Sequence, residues 1–207
     1  MSVSKDSAAF APQANIYPHD GWVDRTMRNQ LAGHKSGVVW LTGLSGAGKS
    51  TLANHVEQYL FEKNYLVTIL DGDAMRDGLN ADLDFSPESR KENLRRSGEV
   101  AAMLASRGFI VLASFVSPFT EGRQIVQDII GDNFHLVHVH AEIDDCINRD
   151  PKGLYKKAMS GEIKNFTGVG QSYEPPESPD LVVNTSNTDI STASDYLTRF
   201  IERNFRL

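Results

Sequence analysis

The chain is short of cysteine, of long apolar runs and of positive charge, and each shortage excludes something. A single cysteine among 207 residues, Cys146, permits no internal disulfide and no multi-cysteine zinc site. No run of 18 apolar residues occurs, so no helix of bilayer length is encoded. Met1 to Gln13 holds one lysine and no apolar stretch of signal-peptide length. The expectation is a cytoplasmic protein with no membrane partner. Twenty-one Lys and Arg face 27 Asp and Glu, a net charge of −6, which argues against a nucleic-acid partner held by surplus basic charge. The six histidines lack metal-ligand spacing: His138 and His140 share a face of one apolar segment, and no third ligand follows nearby. His135, His138 and His140 therefore read as structural, and Cys146 as a small buried residue.

What remains is the balance of a globular domain, 40% hydrophobic and 23% charged residues, at a length suited to one core. Residues 1–20 are polar, carry Pro12 and Pro18, and are expected to form a tail or arm ahead of a single domain over 21–207. A short helix is predicted within 21–34, stopped near Gly33. From residue 38 the pattern alternates. Strands are predicted at 38–42, 66–70, 109–115, 134–141 and 181–183. Between them lie helices at 49–63, from Ser86-Pro87 to about 107, at 120–130 and from 143, with a closing helix at 190–204. Such alternation predicts an α/β fold with three layers, helices on both faces of a mainly parallel sheet of about five strands. Residues 149–180 interrupt it with Gly, Pro and Lys and no evident strand, as a mobile lid does.

Gly43-Leu44-Ser45-Gly46-Ala47-Gly48-Lys49-Ser50-Thr51 carries the G-x-x-x-x-G-K-[ST] pattern between a predicted strand and a predicted helix. Its glycines let consecutive backbone N–H groups turn inward around phosphates, and the helix N-terminus adds its positive dipole end. Lys49 then reaches the β- and γ-phosphates of a nucleotide, and the Ser50 hydroxyl serves Mg²⁺; the loop alone does not separate an ATPase, a GTPase and a small-molecule kinase. This sets the domain among the P-loop NTPase-type folds. No Asn-Lys-x-Asp guanine reader follows: Asn64 precedes Tyr65 and Asn165 precedes Phe166. The strand at 109–115 ends in Ser114-Phe115 rather than an acid, whereas the second strand ends Ile69-Leu70-Asp71. An acid at that strand end faces the ligand crevice, which favours a small-molecule kinase.

Beyond the phosphate loop, several blocks stand in order. They are Asp71-Gly72-Asp73-Ala74-Met75-Arg76, Phe85-Ser86, Arg90-Lys91-Glu92-Asn93, Ser114-Phe115-Val116-Ser117-Pro118, Arg149-Asp150-Pro151-Lys152-Gly153-Leu154-Tyr155-Lys156-Lys157, and Asn165-Phe166-Thr167-Gly168. Together they closely resemble adenylylsulfate kinase (APS kinase), over roughly residues 16–205. The resemblance implies transfer of the ATP γ-phosphate to the ribose 3′-hydroxyl of adenosine 5′-phosphosulfate (APS), giving 3′-phosphoadenosine 5′-phosphosulfate (PAPS) and ADP. It also implies a homodimer and a lid that orders over nucleotides; an ATP sulfurylase is a further candidate partner. The competing readings are a P-loop kinase of another nucleotide or small metabolite, and a non-catalytic PAPS-sensing module. The chain departs from the family at Ala74, commonly Asn, near Asp77, often His, and at Ser97, commonly bulky and apolar. The stretch 168–173 is also less typical.

Roles follow residue by residue. Arg76 and Arg90 suit the anionic phosphosulfate, because guanidinium forks hold phosphate-type oxygens at two points; the resemblance adds Asn93. It makes Phe85 and Phe166, with Asn165 alongside, the adenine site of the acceptor. Asp71 and Asp73, two apart, share one side if the strand geometry persists. Asp73 is assigned to the ribose hydroxyl as orienter or base and Asp71 to Mg²⁺ through water, with exchange of these roles, or N-capping by Asp73, as alternatives. Ser117 matches a serine phosphorylated in some family members. No base adjoins it in sequence, so the preferred reading is positioning of the acceptor by Val116 and Ser117 with direct in-line transfer, and a catalytic phosphoserine is the alternative. Between 149 and 164, Arg149, Lys152, Lys156, Lys157 and Lys164 outnumber Asp150 and Glu162, a basic patch suited to two polyanions. The resemblance gives Lys152 to the acceptor and Arg149 to the ATP adenine.

Overall fold

The computed structural model describes residues 21–207, so the expected N-terminal arm lies outside the described residues. Eight α-helices and five strands follow one another as α1 (Arg25–Ala32), β1 (Gly37–Thr42), α2 (Lys49–Glu62), β2 (Val67–Asp71), α3 (Gly72–Asp77), α4 (Pro87–Ser106), β3 (Ile110–Ser114), α5 (Thr120–Ile130), β4 (Phe134–His140), α6 (Ile143–Arg149), α7 (Leu154–Met159), β5 (Leu181–Asn184) and α8 (Ile190–Asn204). The strands form one parallel sheet in the order β2-β3-β1-β4-β5. Parallel neighbours need crossovers, and the alternating helices supply them. Among the described residues no helix is long and apolar enough to cross a membrane.

The period of two in β1 divides the core. Val39 and Leu41 pack with Leu52 and Val56 of α2, and Leu197 and Ile201 of α8. Val38 and Trp40 pack on the opposite face with Leu94 and Ala101 of α4 and Val126 of α5. All six β1 residues are buried, as expected of a central strand covered on both faces. Trp40 also stacks on Phe115, with ring centroids 4.6 Å apart. Because β3 and β4 flank β1 on opposite sides, a crevice opens at the carboxyl ends of the strands.

Most predicted elements are present with ends shifted by a residue or two, and α1 is tighter than expected. Its N-cap is Asp24, whose carboxylate accepts from the Met27 N–H at 2.8 Å. Two helices depart from expectation. The strand geometry does not persist through Asp73: the chain turns into α3 at Gly72, and the cap is Asp71, whose carboxylate accepts from the Asp73 N–H at 2.9 Å. The segment 149–180 is not free of regular structure either. It holds α7, whose Tyr155 is 1% exposed and belongs to the core.

Ser97, a departure from the family pattern, lies fully buried in α4 with no partner for its hydroxyl. An unsatisfied buried hydroxyl costs about 1–3 kcal/mol. Ser97→Ala is therefore expected to raise stability by about 1 kcal/mol, or roughly 2–4 °C in melting temperature, by calorimetry. An unchanged or lower melting temperature would contradict this.

Candidate active site

Three strand ends meet in one row. Leu41 of β1 pairs with Ser114 of β3, and Ser114 with Asp71 of β2, so the phosphate loop, Ser114 and Asp71 share one edge of the sheet. The loop from Gly43 to Ser50 leaves β1 and enters α2. Gly43 has φ +155°, and a Cβ there would lie 2.2 Å from the Val139 carbonyl oxygen; at Gly46, φ +76°, it would lie 2.9 Å from that of Cys146. Only glycine lets this backbone sit so close to β4 and α6. Thr51 is exposed on the first turn of α2.

Lys49 is 8% exposed and donates to the carbonyls of Gly43 at 3.0 Å and Leu44 at 2.9 Å. Burial pulls its ammonium pKa down from 10.5 to about 8, against weaker opposing effects that include Asp71 and Asp73. Burial favours the neutral amine, whereas bound phosphate favours the ammonium. Nucleotide binding above pH 8 is therefore expected to take up a proton, and ATP affinity to fall by up to about tenfold per pH unit there. Calorimetry in buffers of different ionisation enthalpy measures this; no proton uptake at pH 9 would contradict it.

Ser50 Oγ donates to Asp71 Oδ2 at 2.7 Å and lies 3.1 Å from Ser114 Oγ. A carboxylate and hydroxyls are hard oxygen donors, and one carboxylate beside nucleotide phosphates is how proteins commonly hold Mg²⁺. These residues fit the ion. Asp73 is exposed on the first turn of α3 and forms an ion pair with Lys152. Asp71 and Asp73 are thus brought together by the cap of a helix rather than by the period of a strand.

One turn further along α3, the Arg76 guanidinium lies 4.4 Å from the centre of the Phe85 ring and donates to the Asp84 carbonyl at 3.0 Å. Arg90, on α4, lies 5.6 Å from the same ring and donates to the carbonyls of Phe85 and Asn165, both at 3.0 Å. Neither arginine makes an ion pair among the described residues. Burial, and for Arg90 next the nearby Arg76, lowers their pKa values. The Asp73 and Asp84 carboxylates act on Arg76 only from a distance; two cations sharing one ring, neither in an ion pair, make a site for an anion. Phe85 is 60% exposed, so it is not a core residue. Phe166 instead packs against the core, edge-on to Tyr155 at 5.0 Å. Asn93 is 5% exposed, and its Oδ1 accepts from Asn80 Nδ2 at 3.0 Å.

Arg149 ends α6 and reaches the other side of the phosphate loop. It donates to the Gly46 carbonyl at 3.4 Å and to the Thr185 carbonyl at 2.6 Å. Two contacts on the loop escaped sequence reasoning. Thr185 Oγ1 donates to the Ala47 carbonyl at 2.9 Å, and the Tyr155 hydroxyl to the Ser45 carbonyl at 2.9 Å. Both come from more than 100 residues away, where no local spacing signals them. Ser117 is 3% exposed behind the crevice, its hydroxyl between Trp40 and Thr42. The three histidines and Cys146 hold no metal-like cluster among the described residues.

The sequence profile of adenylylsulphate kinase matches residues 35–184. The chain belongs to the adenylylsulphate kinase family. It is 48% identical to the adenylyl-sulfate kinase of Bacillus pumilus over 189 residues, covering 91% of this chain and 96% of the relative. The Mycobacterium tuberculosis APS kinase solved with AMPPNP and APS superposes with a TM-score of 0.78 at 43% identity, over 81% of this chain and 98% of that one. The hexameric APS kinase of Thiobacillus denitrificans gives 0.62 at 29%, over 84% of this chain and 30% of that longer one. As an adenylylsulphate kinase, this chain is an ATP-dependent phosphotransferase acting on an alcohol. Its phosphate loop and its Arg76–Phe85–Arg90 cluster stand at opposite ends of α3.

Proposed function

We propose that the chain phosphorylates the 3′-hydroxyl of APS with ATP. One observation carries this reading. Asp71, the cap of α3, meets Ser50 of the phosphate loop, while Arg76 near the other end of the same helix meets Phe85. A helix of six residues is about 9 Å long, so a triphosphate end and an anionic, stackable acceptor are held a short span apart.

In this reading the loop N–H groups and Lys49 hold the β- and γ-phosphates, and Arg149 lies against the ATP adenine. Arg76, Arg90 and Lys152 hold the phosphosulfate, with Asn93 behind them. Phe85 and Phe166 flank the acceptor adenine, and Asn165 is placed beside it by Arg90. Asp73 accepts the proton of the 3′-hydroxyl. The oxygen forms its bond to the γ-phosphorus as the bond to the β–γ bridging oxygen breaks, and ADP leaves. Ser50, with Asp71 through water, would hold Mg²⁺ when ATP is bound, and the ion would supply charge neutralisation on the phosphates. Ser117 takes no covalent part: its hydroxyl bonds Thr42 and Trp40, with no base among its partners. A homodimer in the cytoplasm, with ATP sulfurylase as a candidate partner, completes the proposal; light scattering of the purified protein tests the dimer.

The test is product analysis. Purified protein with Mg·ATP and APS is expected to yield a 3′-phosphorylated nucleotide and an equal amount of ADP. Binding of both nucleotides without product would mark a sensing module instead, and turnover with a different acceptor only would discard APS. Because Phe85 is exposed and base stacking contributes about 1–3 kcal/mol, Phe85→Ala is expected to raise the KM for APS about tenfold or more. The melting temperature should stay unchanged, and an unaltered KM would remove Phe85 from the acceptor site.

A further inference from the structure

We propose that Tyr173 and Arg123 are positioning residues for the acceptor, holding the Val116–Ser117 segment from two sides in the backbone shape that presents it to the nucleotide. The proposal rests on the reading of this segment as part of the acceptor site.

Ser117 needs holding. Its φ is +35°, a left-handed conformation that L-residues other than glycine seldom adopt and that persists only where surroundings enforce it. On one side stands Thr42, the last residue of β1, immediately before the phosphate loop. Its Oγ1 lies 2.8 Å from the Val116 carbonyl and 3.3 Å from the Ser117 carbonyl, so its single proton goes to the nearer oxygen. The Ser117 hydroxyl donates to Thr42 Oγ1 at 2.9 Å and accepts from Trp40 Nε1 at 3.1 Å. One lone pair of Thr42 is left, and the Tyr173 hydroxyl lies 3.1 Å from it, so the phenol donates there. Each of the three hydroxyl protons then has an acceptor, and Tyr173 closes the chain.

On the other side stands Arg123 of α5, 4% exposed. It donates to the Ser117 carbonyl at 2.9 Å and to Thr120 Oγ1 at 3.1 Å, and makes no ion pair among the described residues. The Glu174 carboxylate is near but does not pair with it directly; burying a guanidinium outside an ion pair is costly, and packing alone is met by a neutral side chain. One arm of its fork holds the carbonyl of Ser117, the residue of positive φ, and the other holds the Thr120 hydroxyl.

Tyr173 ends the stretch 168–173, which is less typical of the family, and it is held in place by its neighbours. The Tyr173 ring stacks on His138 with centroids 5.8 Å apart. The next residue, Glu174, donates its N–H to the Pro118 carbonyl at 2.8 Å. Its carboxylate accepts from the Thr120 N–H at 2.8 Å, capping α5 where the N-cap Phe119 has no side chain to offer. The end of the segment expected to be a lid is thereby fastened to the loop after β3.

Steady-state kinetics of the full chain test this. Wild-type product formation is measured first; its absence overturns the functional reading and is read before any variant. Tyr173→Phe keeps the ring and removes one proton donor, and is expected to raise the KM for APS about three- to tenfold. Arg123→Lys keeps the charge and loses the fork, and about tenfold is expected. The KM for ATP should change less than about twofold in both. Because the Tyr173 hydroxyl acts through Thr42, Tyr173→Phe should have no further effect in a Thr42→Val background, and Thr42→Ser should restore it. Unchanged APS kinetics in both single variants, an equal rise in the KM for ATP, or additive effects in the cycle would each overturn the proposal.

Discussion

Replacing Lys49 by Ala is expected to lower kcat by roughly 10³-fold while leaving the fold intact. The expected rate loss follows from position: the ammonium is buried within the phosphate loop, beside the place proposed for the γ-phosphoryl group, and a charge held away from water acts most strongly. The fold survives because Lys49 contributes little to it. Its burial is opposed by desolvation, as the fall of its pKa to about 8 records, and its two partners are carbonyls of the loop itself. Removing such a charge relieves a cost. Kinetics alongside thermal melting check both halves. Near-normal turnover in a well-folded variant would remove the role of Lys49.

The second large effect is expected at Asp73. Asp73→Ala should reduce kcat by roughly 10³-fold, within the range general-base groups supply, and shift the KM for ATP by no more than about twofold. The reason is its exposure in the crevice: the carboxylate touches Lys152 and no part of the phosphate loop. Asp71→Asn should behave differently. Its partner is Ser50, so the loss should appear as a raised Mg²⁺ requirement that excess metal partly relieves. Rates across a Mg²⁺ titration separate the two. If metal rescues Asp73→Ala and not Asp71→Asn, the assignments are exchanged.

Both expectations started as readings of short patterns, and their legibility has a physical basis. The phosphate loop is built from neighbours in sequence, because backbone N–H groups must converge within one turn, so its residues announce it. β1 and β3 were equally plain, since burial on both faces demands apolar runs. α3 was harder. Over 71–73 an alternating acid pattern fits a strand end and a helix cap equally well, and the Asp71 hydrogen bond to the Asp73 N–H decides for the helix. α7 was hidden for a similar reason: its six residues sit among Gly and Pro, and what stabilises them is Tyr155 buried against the phosphate loop.

The sequence by itself therefore determined the layered α/β fold, the phosphate loop and the family, because each rests on local pattern. Only the tertiary structure decided which distant groups share the site. It brought Arg90 to Asn165 and Arg149 to Thr185, and it enclosed Ser117 between Trp40 and Thr42. Contacts across 36 to 77 residues depend on the order in which strands enter the sheet and on what each helix must cover. No spacing along the chain encodes that order; the packing of two apolar faces around β1 does.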